Sequence, residues 1–283
     1  GPYDSISNEA INWYDRPSRK WWSPKNSDGT VGGSLPIRTC LIFSKNLPSI
    51  RIMEKLGPTK FVGDARNVFG FETPLEPNLS LVLGTTAVSP MELARAYSVF
   101  MTKGDLLPVY GIKRVFGPEG TVVRNFTLTQ RIGVLSAPTA ETVDGWLRDV
   151  VTSGTATRAS GVTNAHGKTG TTQDNRDAWF AGYTQQFLGI GWIASEVPNP
   201  NVPGSGFTSG EPMSVPVWSY RKTVPKKPKL PLGAPTKNSV PIPTRLAPKS
   251  LLLAGSGLVN LASSDPLLMS TRCTIPTVPP RER

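Results

Sequence analysis

The feature that most constrains this chain is a run of three extended segments, 165–171, 178–184 and 187–194, with only short breaks between them. His166-Gly167-Lys168-Thr169-Gly170-Thr171 opens the run, and Ala178-Trp179-Phe180-Ala181-Gly182-Tyr183 and Leu188-Gly189-Ile190-Gly191-Trp192 follow. Parallel neighbours would need crossovers of about a dozen residues or more, so breaks this short predict three adjacent antiparallel strands. One face of such a sheet needs an apolar cover. Residues 139–151 supply one at helical spacing, with Val143, Trp146, Leu147, Val150 and Val151 inward and a stop at Gly154.

Upstream, the clearest helix opens at Ser89. Ser89 caps it, Pro90 occupies the first turn, Glu92 completes a capping box and Gly104 stops it. Leu93, Ala96, Tyr97 and Phe100 form its expected core face. Residues 35–43 are apolar at helical spacing and predict a helix, with Pro48 just beyond its end. Residues 50–57 predict a short helix with Ile50, Met53 and Leu56 on one face. Residues 61–80, with Pro74 and Pro77, read as loop. Residues 109–126 suggest a two-stranded excursion about the Gly117-Pro118-Glu119-Gly120 turn, and 216–223 a final short helix. Residues 3–33, rich in Trp, Pro, Asn and Gly, predict short extended pieces whose Trp13, Trp21 and Trp22 cover something apolar, as a cleft wall or as packing.

Two stretches carry chemistry. In the first strand Lys168 offers a cation, and Thr169 and Thr171 offer hydroxyls. Together they can hold a carboxylate by one charge and two hydrogen bonds. Gly167 and Gly170 are expected to clear side chains where a substrate backbone approaches the strand edge. Ser44-Lys45-Asn46 is a Ser-x-Asn at a predicted helix junction, which would expose Ser44 and Asn46 to a ligand. His166 shares the Lys168 face and reads as a structural neighbour of the cleft; no motif supports a Ser-His-Asp triad on it.

Ser-x-Asn followed by Lys-Thr-Gly is the second and third element of the serine acyltransferase set of penicillin-binding proteins and β-lactamases. The helix string Ser89-Pro90-Met91-Glu92-Leu93-Ala94-Arg95-Ala96-Tyr97 and the segment Trp22-Ser23-Pro24-Lys25-Asn26 resemble those of class A, bifunctional penicillin-binding proteins. The match to that helix, over 89–100, disfavours a hydrolytic relative such as a carboxypeptidase or β-lactamase. The resemblance covers about 3–224 and implies an α+β transpeptidase fold, with an antiparallel sheet flanked by helices beside a helical part.

By that resemblance Ser44 takes part in proton transfer, Asn46 binds the substrate amide, and Lys168, Thr169 and Thr171 with Gly170 hold the substrate carboxylate. The implied reaction is peptidoglycan D,D-transpeptidation by serine acyl transfer, blocked by β-lactams. The implied partners are stem peptides and β-lactams, at the periplasmic side of the inner membrane in the cell envelope, with no cofactor. The first element, Ser-x-x-Lys, is missing ahead of Ser44. The match Ser219-Tyr220-Arg221-Lys222 lies after the Lys-Thr-Gly strand, in the wrong order. The expectation is an N-terminally incomplete domain over 1–225 whose nucleophile, and any membrane anchor, come from an upstream segment. The isolated chain is then expected to be inactive, and marginally stable or unfolded unless a second chain supplies the missing piece. The competing class is a non-catalytic or degenerate family member.

Composition fits this division. The net charge of +11 suggests nucleic acid or an anionic surface only until its distribution is read. Nine of the lysines and arginines lie from Lys226 onward against two acids, Asp265 and Glu282, so residues 226–283 carry +7 of the +11. Those 58 residues hold ten prolines and no aromatic residue, so they are expected to be a disordered basic tail without stacking platforms for nucleic acid. One histidine and two distant cysteines, Cys40 and Cys273, make neither a zinc site nor a disulfide framework, and Cys40 reads as a small buried hydrophobe.

Overall fold

The computed structural model describes residues 3–15, 19–172 and 177–194. The predicted helix 216–223, the Ser219–Lys222 match, Cys273 and the tail from 226 lie outside the described residues. In chain order the elements are β1 (Ser5–Ser7), β2 (Trp13–Asp15), β3 (Lys20–Trp22), β4 (Ser34–Pro36), α1 (Ile37–Ile42), α2 (Asn46–Leu56) and α3 (Pro58–Asn67). Then come α4 (Pro90–Met101), β5 (Arg114–Phe116), β6 (Val122–Asn125), α5 (Ala137–Ser153), β7 (His166–Thr171), β8 (Asp177–Tyr183) and β9 (Leu188–Ala194).

The three predicted strands form one antiparallel sheet in the order β7-β8-β9, in the register Thr169↔Phe180 and Phe180↔Gly191. Helices cover both faces. Tyr183 and Leu188, with Ile190, pack on Ala94 of α4 and Leu147 of α5. Phe180, on the opposite face, packs among Ile42, Val150, Val151, Ala156, Ala159 and Ala165. A second, helical part is built on α2 and α3, where Met53 meets Ala65, Leu75 and Leu81, and where Leu47 and Ile50 meet Ile11. The 3-10 turn Leu79–Leu83 closes it.

Several expectations need correction. Residues 61–80 are not all loop. Pro58 sits in the first turn of α3, and the Phe61, Val62 and Ala65 stripe packs on Met53, so tertiary burial outweighs the weak helical signal. The helix expected over 35–43 begins at Ile37, because Leu35 pairs with Ile6 in the β1–β4 ladder. Pro48 lies inside the first turn of α2, where its missing N–H costs nothing, and the helix starts at Asn46 rather than Ile50. Leu56 is exposed, not part of the inward face. On α4 the most buried positions are Ala94, Ala96, Ser98 and Val99, with Tyr97 and Phe100 packed beside them. Of the three tryptophans, Trp22 packs on the Ile11–Leu47–Ile50 cluster, whereas Trp13 and Trp21 are exposed. The hairpin about Gly117–Gly120 forms with strands shorter than the alternation suggested. Cys40 is buried, and burial pushes its thiol pKa up.

Two carboxylates hold the helices in place. The α4 capping box forms as predicted, and Glu92 reaches further: Oε1 accepts from Glu72 N at 2.9 Å and Thr73 N at 2.7 Å, and Oε2 accepts from Thr73 Oγ1 at 2.7 Å. Burial alone would raise its pKa, but these donors from Thr73, Glu72 and Ser89 outweigh it and hold the group at about 2. Asp144, buried on α5, likewise overcomes its desolvation through His166, Lys103 and Tyr183 and sits at about 2. Both groups titrate lower folded than unfolded, so their stabilisation is full above about pH 4.5 and lost as pH falls toward 2. Acid unfolding followed by circular dichroism should therefore fall in that window. Glu92→Gln should cost about 1–3 kcal/mol at pH 7 and flatten the profile. An unchanged profile in that variant would refute the assignment.

Candidate active site

The Ser-x-Asn turn is where α1 hands over to α2. Ser44 N–H donates to Leu41 O at 3.2 Å and Lys45 N–H to Cys40 O at 2.9 Å, closing α1. Ser44 adopts φ +54, a left-handed conformation that a non-glycine residue holds only where the surroundings enforce it. Its partly exposed hydroxyl has no hydrogen-bond partner among the described residues. Lys45 turns away and is buried, pairing with Asp28 and donating to Thr30 Oγ1 at 2.7 Å. The hydrogen bond from Lys45 holds the Asp28 carboxyl below its usual range.

Asn46 is fixed from outside its own helix. Its Nδ2 donates to Lys25 O at 2.8 Å, and the neighbouring Leu47 N–H donates to Asn26 Oδ1 at 3.0 Å. Asn26 thus caps α2 from a distant loop, because Lys45, at the cap position, offers no side-chain acceptor. The Asn26 amide is itself spent on Asn8 Oδ1 and Thr30 O, each at 2.7 Å. Asn8, Asn26, Asp28 and Thr30 are residues that sequence reasoning missed. The only signal was the Trp22–Asn26 string, which carried resemblance but no geometry.

β7 is an edge strand of the sheet among the described residues. Lys168 is partly buried and donates to Thr169 O at 3.1 Å and toward Thr169 Oγ1 at 3.5 Å. No carboxylate lies within ion-pair distance of it among the described residues, and burial pushes its pKa from 10.5 down to about 8. An incompletely solvated ammonium without an anion is a ready receptor for a ligand carboxylate. The two glycines divide. A Cβ on Gly167 would lie 2.5 Å from Phe180 Cζ and 2.6 Å from Ala181 O, so Gly167 clears space for the core ring, not for a substrate. A Cβ on Gly170 would meet only Trp179 Cβ at 3.5 Å, an ordinary contact, so core packing does not demand glycine there.

His166 is occupied structurally. Its Nδ1 lies 2.9 Å from Asp144 Oδ1, and its ring stacks on Tyr183 with centroids 5.2 Å apart. Tyr183 OH donates to the same Asp144 oxygen at 2.7 Å, and Lys103 pairs with Asp144 as well.

Thr155, just past α5, connects the two motifs. Its N–H donates to Ile42 O at 3.3 Å, two residues before Ser44, and its hydroxyl lies 2.7 Å from Thr169 Oγ1. Gly154 makes the approach possible, since a Cβ there would come within 2.6 Å of Ile42 O. The glycine read only as a helix stop is also a close-contact position.

Comparison with known proteins gives one consistent result. The family model described as the penicillin binding protein transpeptidase domain matches residues 2–210. Penicillin-binding protein 1A of Neisseria lactamica is 36% identical over 215 residues, 71% of this chain and 26% of the relative, so the chain spans about a quarter of that relative's length. Among solved structures, penicillin-binding protein 1A from Haemophilus influenzae superposes with a TM-score of 0.66 at 22% identity, covering 84% of this chain and 41% of the other. PonA1 from Mycobacterium tuberculosis in complex with penicillin V superposes with a TM-score of 0.62 at 21% identity, covering 77% and 62%.

Proposed function

The chain belongs to the family of penicillin-binding protein transpeptidase domains, and on that premise we propose that it forms the substrate-binding and proton-transfer part of a peptidoglycan D,D-transpeptidase whose serine nucleophile lies outside this chain. The observation that carries the reading is the Lys168 ammonium, partly buried beside the Thr169 hydroxyl on an edge strand and without a carboxylate partner among the described residues. Lys168, Thr169 and Thr171 receive the terminal carboxylate of a stem peptide, and Gly170 leaves room for its backbone. Asn46 faces the substrate amide, its side chain steadied by Lys25.

The serine oxygen forms a bond to the penultimate D-alanine carbonyl carbon, and the bond to the terminal D-alanine nitrogen breaks. The hydroxyl proton passes to that nitrogen, with Ser44 in the proton path. An amine of a neighbouring stem then attacks the acyl-serine, restoring the hydroxyl and forming the cross-link. Thr171 N–H donates one hydrogen bond to the developing oxyanion, and the serine's own N–H donates the other. β-Lactams enter as mimics of the D-alanyl-D-alanine end, on the envelope side where stem peptides are found.

A fluorescent penicillin tests this. Mixed with the segment of its protein that carries the serine, the chain should enable labelling of that segment and remain unlabelled itself. Labelling of this chain alone would overturn the placement of the nucleophile. Absence of labelling in the mixture would favour a non-catalytic family member.

A further inference from the structure

We propose that Thr155 is a positioning residue, donating its hydroxyl proton to Thr169 so that the Thr169 proton points at the ligand carboxylate. The inference rests on the carboxylate-binding role proposed above for Thr169. A hydroxyl carries one proton and two lone pairs. Lys168 is a pure donor and reaches toward Thr169 Oγ1 at 3.5 Å, so it takes an acceptor site and supplies no acceptor. The 2.7 Å contact between the Thr155 and Thr169 hydroxyls holds one proton, which can come from either side. If Thr169 donated it, Thr169 would present a lone pair to an incoming carboxylate, and two acceptors would face each other. If Thr155 donates it, Thr169 accepts from both Thr155 and Lys168 and keeps its own proton for the ligand. Aligned donors of this kind also strengthen one another.

Thr155 is built to hold this place. Its backbone is tied to Ile42 O, and Gly154 lies so close to Ile42 that a side chain there would collide with backbone. The same bond fixes the end of α1 that leads into Ser44, so a single residue sets both halves of the site.

The test is equilibrium binding, by NMR titration of this chain paired with the segment that carries the serine (that serine replaced by alanine so the ligand is not turned over), of diacetyl-L-lysyl-D-alanyl-D-alanine and of its C-terminal amide. The wild-type chain should prefer the carboxylate. Thr155→Val, which keeps the shape and removes the donor, should lose about tenfold in affinity for the carboxylate, with the amide unchanged. Thr155→Ser should retain the preference, and Thr155→Ala provides a second donor-free variant should valine disturb folding. An unchanged carboxylate-to-amide ratio in the donor-free variants, or an equal loss for both ligands, would overturn the proposal. If Lys168→Met abolishes the preference while Thr155→Val leaves it, the binding site stands and the Thr155 role falls. If the wild-type chain shows no preference, both fall.

Discussion

Replacing Lys168 with methionine should weaken binding of a free ligand carboxylate on the order of a hundredfold and leave the chain at least as stable as before. The two effects have opposite signs for one reason. Without ligand, the ammonium is partly buried beside a carbonyl and a hydroxyl, and burial pushes its pKa from 10.5 to about 8. The folded state therefore disfavours the charged form. Between about pH 8 and 10.5 the unfolded chain binds more protons, so wild-type stability should rise with pH across that window. Methionine keeps the apolar stem and removes both the cost and the pH dependence. With ligand, the ammonium gains an anion, which no described residue supplies, and a charge-assisted hydrogen bond of this kind contributes about 1.5–3 kcal/mol. Thermal melts at pH 7 and 10, run beside the titration with diacetyl-L-lysyl-D-alanyl-D-alanine, read both effects. A methionine variant that binds the carboxylate like wild type would remove Lys168 from the site, and one that melts far lower would make it structural.

Phe180→Ala should cost about 3–5 kcal/mol, a large share of the roughly 5–15 kcal/mol that holds a domain together. The ring is fully buried on the β8 face opposite Tyr183 and touches the ends of three elements: Ile42 of α1, Val150 and Val151 of α5, and Ala165 at the entrance to β7. Its edge fills the space left by Gly167. Relaxation into the cavity is restricted because those neighbours are tied to one another, so little of the loss is recovered. The same neighbours lead into Ser44, Thr155 and Lys168, so ligand affinity should fall with stability. Trp179→Ala is the comparison. Trp179 is only partly buried and stacks on Trp192 with centroids 5.0 Å apart, so its loss should be smaller. Urea unfolding measures both. A Phe180→Ala cost no greater than about 0.5 kcal/mol, typical of a surface position, would refute the packing argument.

Much of this was legible without coordinates because it is local. Antiparallel pairing of β7, β8 and β9 follows from strands too closely spaced for crossovers. The α4 start follows from Ser89, Pro90 and Glu92, whose capping interactions span only a few residues. α3 was not legible: its helical stripe is short, and what holds it is burial against Met53, Leu75 and Leu81, which lie outside its own span. The role of Gly167 was misread for a related reason. Strand alternation says which face a residue takes, but not whether a phenylalanine from the next strand occupies the space above it.

Motif order singles out Ser44, Asn46 and Lys168 as candidates, and it says nothing of the residues that hold them in place. Nothing in the spacing of Asn26 predicts that it caps α2 across 21 residues, or that Asn8 orients it across 18. Nothing in Gly154-Thr155 predicts a hydroxyl set against Thr169 and an amide set against Ile42. The sequence by itself determined the family, the sheet and the chemical types at the site, because periodicity, caps and short motifs are properties of neighbouring residues. Only the tertiary structure decided that Lys168 lacks a partner carboxylate among the described residues, that Asp144 takes His166, and that Thr155 ties the two motifs together. Burial and hydrogen-bond pairing depend on which distant groups fold to within about 3 Å of each other.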